Sequence, residues 1–258
     1  MTSERTFGGC VRWSTDGFRG TLTMARGKGN ALSPELISGL SEALAAIASE
    51  PPDLVVLTGE DRFFSAGLDL VTLDGLSRPG LESFCIELDR LFTRLYELPA
   101  VTVAAVNGHA VAGGCVLMLC CDHRIAAEGP SVIGMNETQL GLPFPGACLD
   151  VFREVLMPSA FSTVVLAGRL MSVGEAKDLG LVDRVVAADD VEAAIQEWAE
   201  PLRVGGSEGR RTIKHQMRKA WRERYASGWP ERTRRFVHLW FSEEARAERS
   251  RAIAKLKR

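Results

Sequence analysis

No CxxC pair occurs among the six cysteines, and none of the four histidines stands at metal-ligand spacing from them. That excludes a zinc ribbon or a thioredoxin-type centre, and no metal site is expected. Several of the cysteines sit in apolar runs, where free thiols behave as small hydrophobes, so a reduced, cytoplasmic protein is expected. GxSxG, HExxH, the P-loop and a strand-linked GxGxxG are all missing, which sets aside serine-hydrolase, zincin and nucleotide-cofactor chemistry. The opening MTSERTFGG carries an acid and no apolar run, unlike a secretory signal or transit peptide. Heptads, low-complexity tracts and a clear internal repeat are also missing.

A run without formal charge is present, the 24 residues from Leu98 to Cys121. It does not read as a membrane span. AVTVAAV is β-branched and strand-like, NGHAVAGG is a glycine-rich turn, and CVLMLCC is far too short a helix to cross a bilayer. A buried strand, turn and helix are expected there, and no membrane partner. With 46% hydrophobic and 25% charged residues the composition is that of an ordinary globular protein. The net charge of -2 conceals a basic end: from Arg203 onward there are 17 Lys and Arg against 6 acids. Without interleaved aromatics in a known module this is no nucleic-acid signature. It reads as a solvated helix face or as a set of cations for phosphate groups.

Strands and turns at VRWST and GTLTMA lead into a helix from Pro34, with Ser33 as its cap and Glu35 in its first turn. DLVVLTGE is a fully apolar strand, and FFSAGLDL a strand end running into a glycine turn and a helical region that reaches Tyr96 with interruptions. HRIAAEG is another strand, a helix is expected around Ala147 to Leu156, and Gly180 closes a helix before a last strand in VDRVV. From about Val191 the pattern is helical to the end. Apolar strands alternating with helices predict an α/β architecture.

Three stretches could carry chemistry. At Gly113-Gly114 a strand gives way to a helix that is apolar all round, so unpaired main-chain N–H groups there could face an anion, although paired glycines also simply permit close packing. Ser65-Ala66-Gly67 is a small-residue turn that could leave the N–H of Leu68 free, with Asp69 read as a helix cap. In IGMNETQLGLPF a single carboxylate, Glu137, stands among apolar, small and amide residues. Burial among Ile133, Met135, Leu140 and Leu142 would raise its basicity, whereas a solvated loop acid or a cap would stay ordinary.

Taken in series, FFSAGLDL, ELPAVTVAAVNGHAVAGG, CDHRIAAE, GMNETQLGL and AGRLMSVGEAKDLGLVDRVV resemble, in order and spacing, the crotonase (enoyl-CoA hydratase/isomerase) superfamily across the whole chain. The resemblance implies a ClpP-like spiral of ββα units at residues 1–195 and a helical C-terminal region at 196–258 that assembles a homotrimer or a dimer of trimers. It implies an acyl-CoA thioester as ligand, with no cofactor beyond the CoA of the substrate. It assigns the oxyanion-hole amides to Leu68 and Gly113, and substrate or CoA contacts to Lys28, Asn30, Ala31, Leu32, Ala66, Gly67, Asp69, Gly114 and Asn136. His109, Asp122 and Arg124 are read as fold-stabilising.

Hydratases of this family use two glutamates. Glu137 matches one, and Val116 stands where the other would be. A hydration aided by two carboxylates would lose about 10² to 10⁴ with one missing. A double-bond shift needs a single base, and GMNETQLG together with the closing RRFVHLWFSEEARAERSRAIAKLKR looks most like the mitochondrial-type Δ3,Δ2-enoyl-CoA isomerases. Hydration, hydrolysis or decarboxylation of an acyl-CoA, or a silent acyl-CoA-binding subunit, are the alternatives.

Overall fold

Val11 and Trp13 point inward and Arg12 outward, the period-two pattern of a half-buried strand, and this segment pairs with antiparallel neighbours on both sides. The three strands are β1 (Ser3–Phe7), β2 (Val11–Thr15) and β3 (Arg19–Met24) in a computed structural model that describes residues 3–256, the side chain of Lys28 excepted. Helix α1 (Pro34–Ser49) starts as its sequence predicts: the Ser33 hydroxyl accepts from Leu36 N at 3.3 Å and Pro34 occupies the first turn.

The chain then repeats one manoeuvre three times, laying a strand in a large sheet, a three-residue strand in a small one, and then a helix or tight turn. The first round is β4 (Leu54–Thr58), β5 (Phe63–Ser65), then α2 (Leu70–Asp74) and α3 (Arg78–Tyr96). The second is β6 (Val101–Val106), β7 (His109–Val111) and α4 (Gly113–Leu119). The third is β8 (His123–Ala127), β9 (Val132–Gly134), a 3-10 turn at Glu137–Leu140, and α5 (Cys148–Val155). Next come α6 (Pro158–Phe161), a π turn, β10 (Leu170–Ser172), α7 (Val173–Asp178) and β11 (Arg184–Val186). The large sheet runs β1-β2-β3-β4-β6-β8-β11, parallel from β3 onward, and the small one β10-β9-β7-β5.

The ββα repeat is real although the sequence displays no repeat. Its small-sheet strands, FFS, HAV and VIG, are too short to carry a period, and HAV lies inside what reads as a glycine-rich turn. The continuous apolar run of β4 has a direct cause, burial on both faces. Val55 and Leu57 face the main core with α1 and α3, while Leu54 and Val56 join Val103, Ile125 and, from α8 (Val191–Ala199), Ala194 and Ile195. The expected division at residues 195 and 196 therefore falls inside α8, a helix packed on the large sheet; the chain departs from that sheet only after a 3-10 turn at Glu200–Arg203.

The last helices are α9 (Ser207–Met217), α10 (Lys219–Trp240) and α11 (Glu243–Leu256). Their basic residues do not form a wholly solvated face. Many are used in ion pairs with acids of the core: Arg222 with Glu97 at 3.0 Å, Arg232 with Asp150 at 2.5 Å, Arg249 with Asp74 at 3.0 Å. Asp122 is the largest hub, gripped by Lys214 at 2.6 Å, by Arg218, and by the N–H and hydroxyl of Thr102 at 2.8 and 2.9 Å. Burial would raise its carboxyl pKa, but Lys214 and Arg218 outweigh that and hold it below the ordinary value. The expected fold-stabilising role of Asp122 is thus visible, and that of Arg124 as well, which binds Asp183 at 2.7 Å and Cys121 O at 3.1 Å. Asp122→Asn should leave two buried cations short of a counter-charge and cost about 3 kcal/mol, read as a lowered urea midpoint at pH 7. Because a depressed carboxyl stabilises above its unfolded pKa and ceases to do so as pH falls through the folded one, the difference from wild type should shrink in strong acid.

Candidate active site

The small sheet gathers the candidate residues. β5, β7 and β9 are adjacent and parallel, with Ser65 opposite Ala110, Ala110 opposite Ile133 and Val111 opposite Gly134. Their C-terminal ends thus lie side by side, about 4.8 Å from one strand to the next. Leu68, Gly113 and Glu137 each follow one of those ends by two or three residues. All three therefore emerge at one edge, in equivalent positions of three successive ββα units.

The turn after β5 has four main-chain amides, and three are committed. Ala66 N donates to Gly29 O at 2.8 Å, Gly67 N to Ser65 Oγ at 3.3 Å, and Asp69 N to Leu32 O at 3.1 Å. Only the N–H of Leu68 has no acceptor among the described residues. After β7, Ala112 N donates to Gly134 O at 2.9 Å and Val116 N to Ala112 O at 3.1 Å, while the first-turn amide of Gly113 has no acceptor among the described residues. Ala112, which precedes it, is held at φ 51° and ψ -123°. A non-glycine residue in so sparse a region costs about 1–3 kcal/mol, stored where the amide is presented.

The two turns touch. Gly67 has φ +82°, and a Cβ on it would lie 2.7 Å from Val111 O, 2.8 Å from Ala112 Cβ and 3.1 Å from Gly113 N. The approach of α4 to β5 explains Gly114 too, since a Cβ there would stand 2.3 Å from Ser65 O.

Glu137 opens its 3-10 turn 8% exposed, and its Oε2 has no hydrogen-bond partner among the described residues. Burial pushes its pKa up to about 7, with the main-chain N–H groups of Glu137 and Asn136 partly opposing the rise. Ile133, Met135 and Leu142 are buried, as the sequence suggests, and Leu140 partly so. The carboxylate also acts on two thiols, Cys115 in the first turn of α4 and Cys148 in α5. Burial, then Glu137, raises Cys115; burial, Asp89 and Glu137 raise Cys148. The Glu137 charge is thus felt in the helix turn that carries the Gly113 amide. Val116, 1% exposed in the same helix, brings no second carboxylate.

The other expected contact residues surround these turns, most of them tied internally. Asn30 is buried, its Oδ1 accepting from Arg26 N at 2.8 Å and its Nδ2 donating to Phe63 O at 3.2 Å. Leu32 is buried and bridged to Leu68; Ala31 and Ala66 are half-buried beside it, and Asn136 is half-buried next to Glu137. Lys28 has its backbone in a 3-10 turn, and its side chain lies outside the described set. Asp69 caps α2, accepting from Thr72 N at 3.1 Å, and pairs with Arg26 at 3.1 Å. Arg26 escaped the sequence reading because a lone arginine before a loop carries no pattern. His109 accepts from Val132 N at 3.1 Å through Nδ1 and packs on Phe63, a strand-joining role as expected. Among the described residues no cluster of three His, Cys, Asp or Glu could hold a metal ion, and no helix is long and apolar enough to cross a membrane.

The chain is similar to known proteins in sequence and in fold. The human mitochondrial enoyl-CoA delta isomerase 1 is 35% identical over 199 residues, 74% of this chain and 64% of that protein. A Thermus thermophilus protein named as an enoyl-CoA hydratase is 38% identical over 180 residues, 66% of this chain and 70% of its own. The crystal structure of human mitochondrial Δ3-Δ2-enoyl-CoA isomerase superposes with a TM-score of 0.88 at 27% identity, covering 99% of this chain and 98% of that one. Residues 20–255 match the family described as enoyl-CoA hydratase/isomerase, and the chain belongs to that family.

Proposed function

We propose that the chain is a cofactor-free Δ3,Δ2-enoyl-CoA isomerase. One observation carries the reading: two uncommitted amides, of Leu68 and Gly113, and one buried, unpartnered carboxylate, Glu137, emerge from three adjacent strand ends. In this mechanism the thioester oxygen of a 3-enoyl-CoA sits against the two N–H groups. Glu137 removes a proton from C2, the electrons shift to give a dienolate, and the resulting carboxylic acid returns the proton at C4. The product is the 2-enoyl-CoA, and the base ends as it began.

Magnitudes favour this division of labour. A thioester α-proton is far weaker as an acid than a carboxylic acid, each pKa unit of mismatch being worth about 1.4 kcal/mol. An oxyanion donor is worth about 2.7–4 kcal/mol, so two recover a good part of the gap. Burial, which raises Glu137 to about 7, recovers more. Similarity to an enzyme named as a hydratase keeps hydration as the second reading. Val116 argues against it, because hydration profits from a second carboxylate there. The assembly proposed is a homotrimer or a dimer of trimers.

Two thioesters decide between the readings. Incubated with a 3-enoyl-CoA the protein should form the 2-enoyl isomer, while hydration of a 2-enoyl-CoA, followed by loss of its ultraviolet absorbance, should be at least ~10²-fold slower. Hydration as fast as isomerisation would sink the isomerase assignment, and inertness toward both would identify a binding subunit.

A further inference from the structure

Helix α11 packs across both halves of the candidate site. It touches α2, whose cap Asp69 directly follows Leu68, and it touches the 3-10 turn that Glu137 opens. Gly141 closes that turn, and a Cβ on it would lie 3.7 Å from Cα and N of Ala245 and 3.7 Å from Cγ of Glu244. Yet α11 has little apolar surface with which to dock. Its sequence is EEARAERSRAIAKL, and its buried residues are Ala245 and Arg249. A helix with so thin an apolar stripe gains little from burial alone.

What fixes it is Arg249, only 2% exposed. Its Nε and Nη2 donate to Asp74 Oδ1 at 3.3 and 3.0 Å, at the last residue of α2. Its Nη1 donates to Trp240 O at 2.5 Å, at the last residue of α10, and its guanidinium lies 4.0 Å above the Trp240 ring. One buried side chain thus joins the ends of α2 and α10 to α11 by three hydrogen bonds and a cation–π contact.

We propose that Arg249 is a positioning residue that latches α11 as a roof over the Glu137 turn and so keeps water from the base. The inference rests on Glu137 being that base. The titratable groups whose pKa the Glu137 charge raises are the buried thiols Cys115 of α4 and Cys148 of α5. Besides Arg249, α11 carries Glu243, Glu244, Arg246, Glu248, Arg251 and Lys255, of which Glu244 is placed beside Gly141 at the far end of the turn. Burial is the first cause of the raised value at Glu137, and none of the causes is a charged neighbour. Lifting the roof therefore hydrates the carboxylate, and its pKa must fall from about 7 toward the ordinary 4.5.

Two variants and two readouts test the latch. Arg249→Met removes the charge and the hydrogen bonds while keeping an apolar stem, and Asp74→Asn alters one partner on a half-exposed side chain, so that one of the pair stays folded. Amide hydrogen exchange in residues 137–142 and 243–256 should accelerate tenfold or more in Arg249→Met and by less in Asp74→Asn, with α4 unchanged. The acid limb of kcat/KM against pH should move down by a unit or more in Arg249→Met. Exchange unchanged at 137–142 overturns the roof, and so does a loss of thermal stability with the acid limb unmoved. If the wild type isomerises nothing, the functional reading fails, and hydrogen exchange alone then decides whether Arg249 latches the turn.

Discussion

Glu137→Gln should lower kcat for isomerisation by about 10² to 10⁴, the span for loss of a general base, with KM for the thioester little changed. The same substitution should make the protein more stable at alkaline pH, which separates a catalytic carboxylate from a structural one. The folded-state pKa, about 7, lies above the ordinary 4.5. A raised value means that the native state holds its proton more tightly than the unfolded chain. That contribution is fully present below about pH 4.5, and it disappears as pH rises through 7. Above 7 the native protein keeps an ionised, 8% exposed group whose Oε2 has no partner, at a cost of about 3 kcal/mol. Glutamine has no such ionisation. Urea midpoints should coincide at pH 4 and separate in favour of Glu137→Gln by pH 8. A variant that keeps wild-type turnover would remove Glu137 from the mechanism, and one less stable than wild type at pH 8 would make the carboxylate a structural group.

How far the sequence reveals this site depends on the range of the signals involved. Local ones are legible: the Ser33 cap with Pro34 behind it, the glycines at 113 and 114, the lone acid in IGMNETQLGL. Each acts within a few residues, and each is found where expected. The ββα repeat is implied by the family resemblance but carries no periodicity of its own, because β5, β7 and β9 have three residues each and their pairing is decided by the longer strands β4, β6 and β8 that they follow. Hence the equivalence of Leu68, Gly113 and Glu137 emerges only in three dimensions. The basic tail is legible only in its sign, for a related reason. Local sequence gives the sign of Lys214, Arg218, Arg232 and Arg249, whereas their partners Asp122, Asp150 and Asp74 lie more than 80 residues away in the chain. Ala112 gives no warning at all, since alanine is among the least remarked residues and only its φ of 51° betrays the strain.

Gly67→Ala should do the other large damage. At φ +82° an alanine is strained by about 1–2 kcal/mol wherever it stands. Here its Cβ would also press on Val111 O at 2.7 Å and Ala112 Cβ at 2.8 Å, so one of the two turns must move. Either movement separates the Leu68 and Gly113 amides, and misplacing one oxyanion donor costs about 10² to 10³ in kcat. Gly205 supplies the control. Its φ is +83°, but a Cβ there would meet nothing within 4 Å. Gly205→Ala therefore carries the same backbone strain without the clash and should lose about 1 kcal/mol of stability and no activity. Thermal unfolding ranks the two variants, and kcat measured on folded protein separates strain from displacement. If Gly67→Ala, still folded, turns over at the wild-type rate, the thioester oxygen is held elsewhere than at the contact between these turns. A fall in kcat without a matching rise in KM identifies donors that tighten as charge develops on the oxygen, since uniform substrate binding would appear in KM instead.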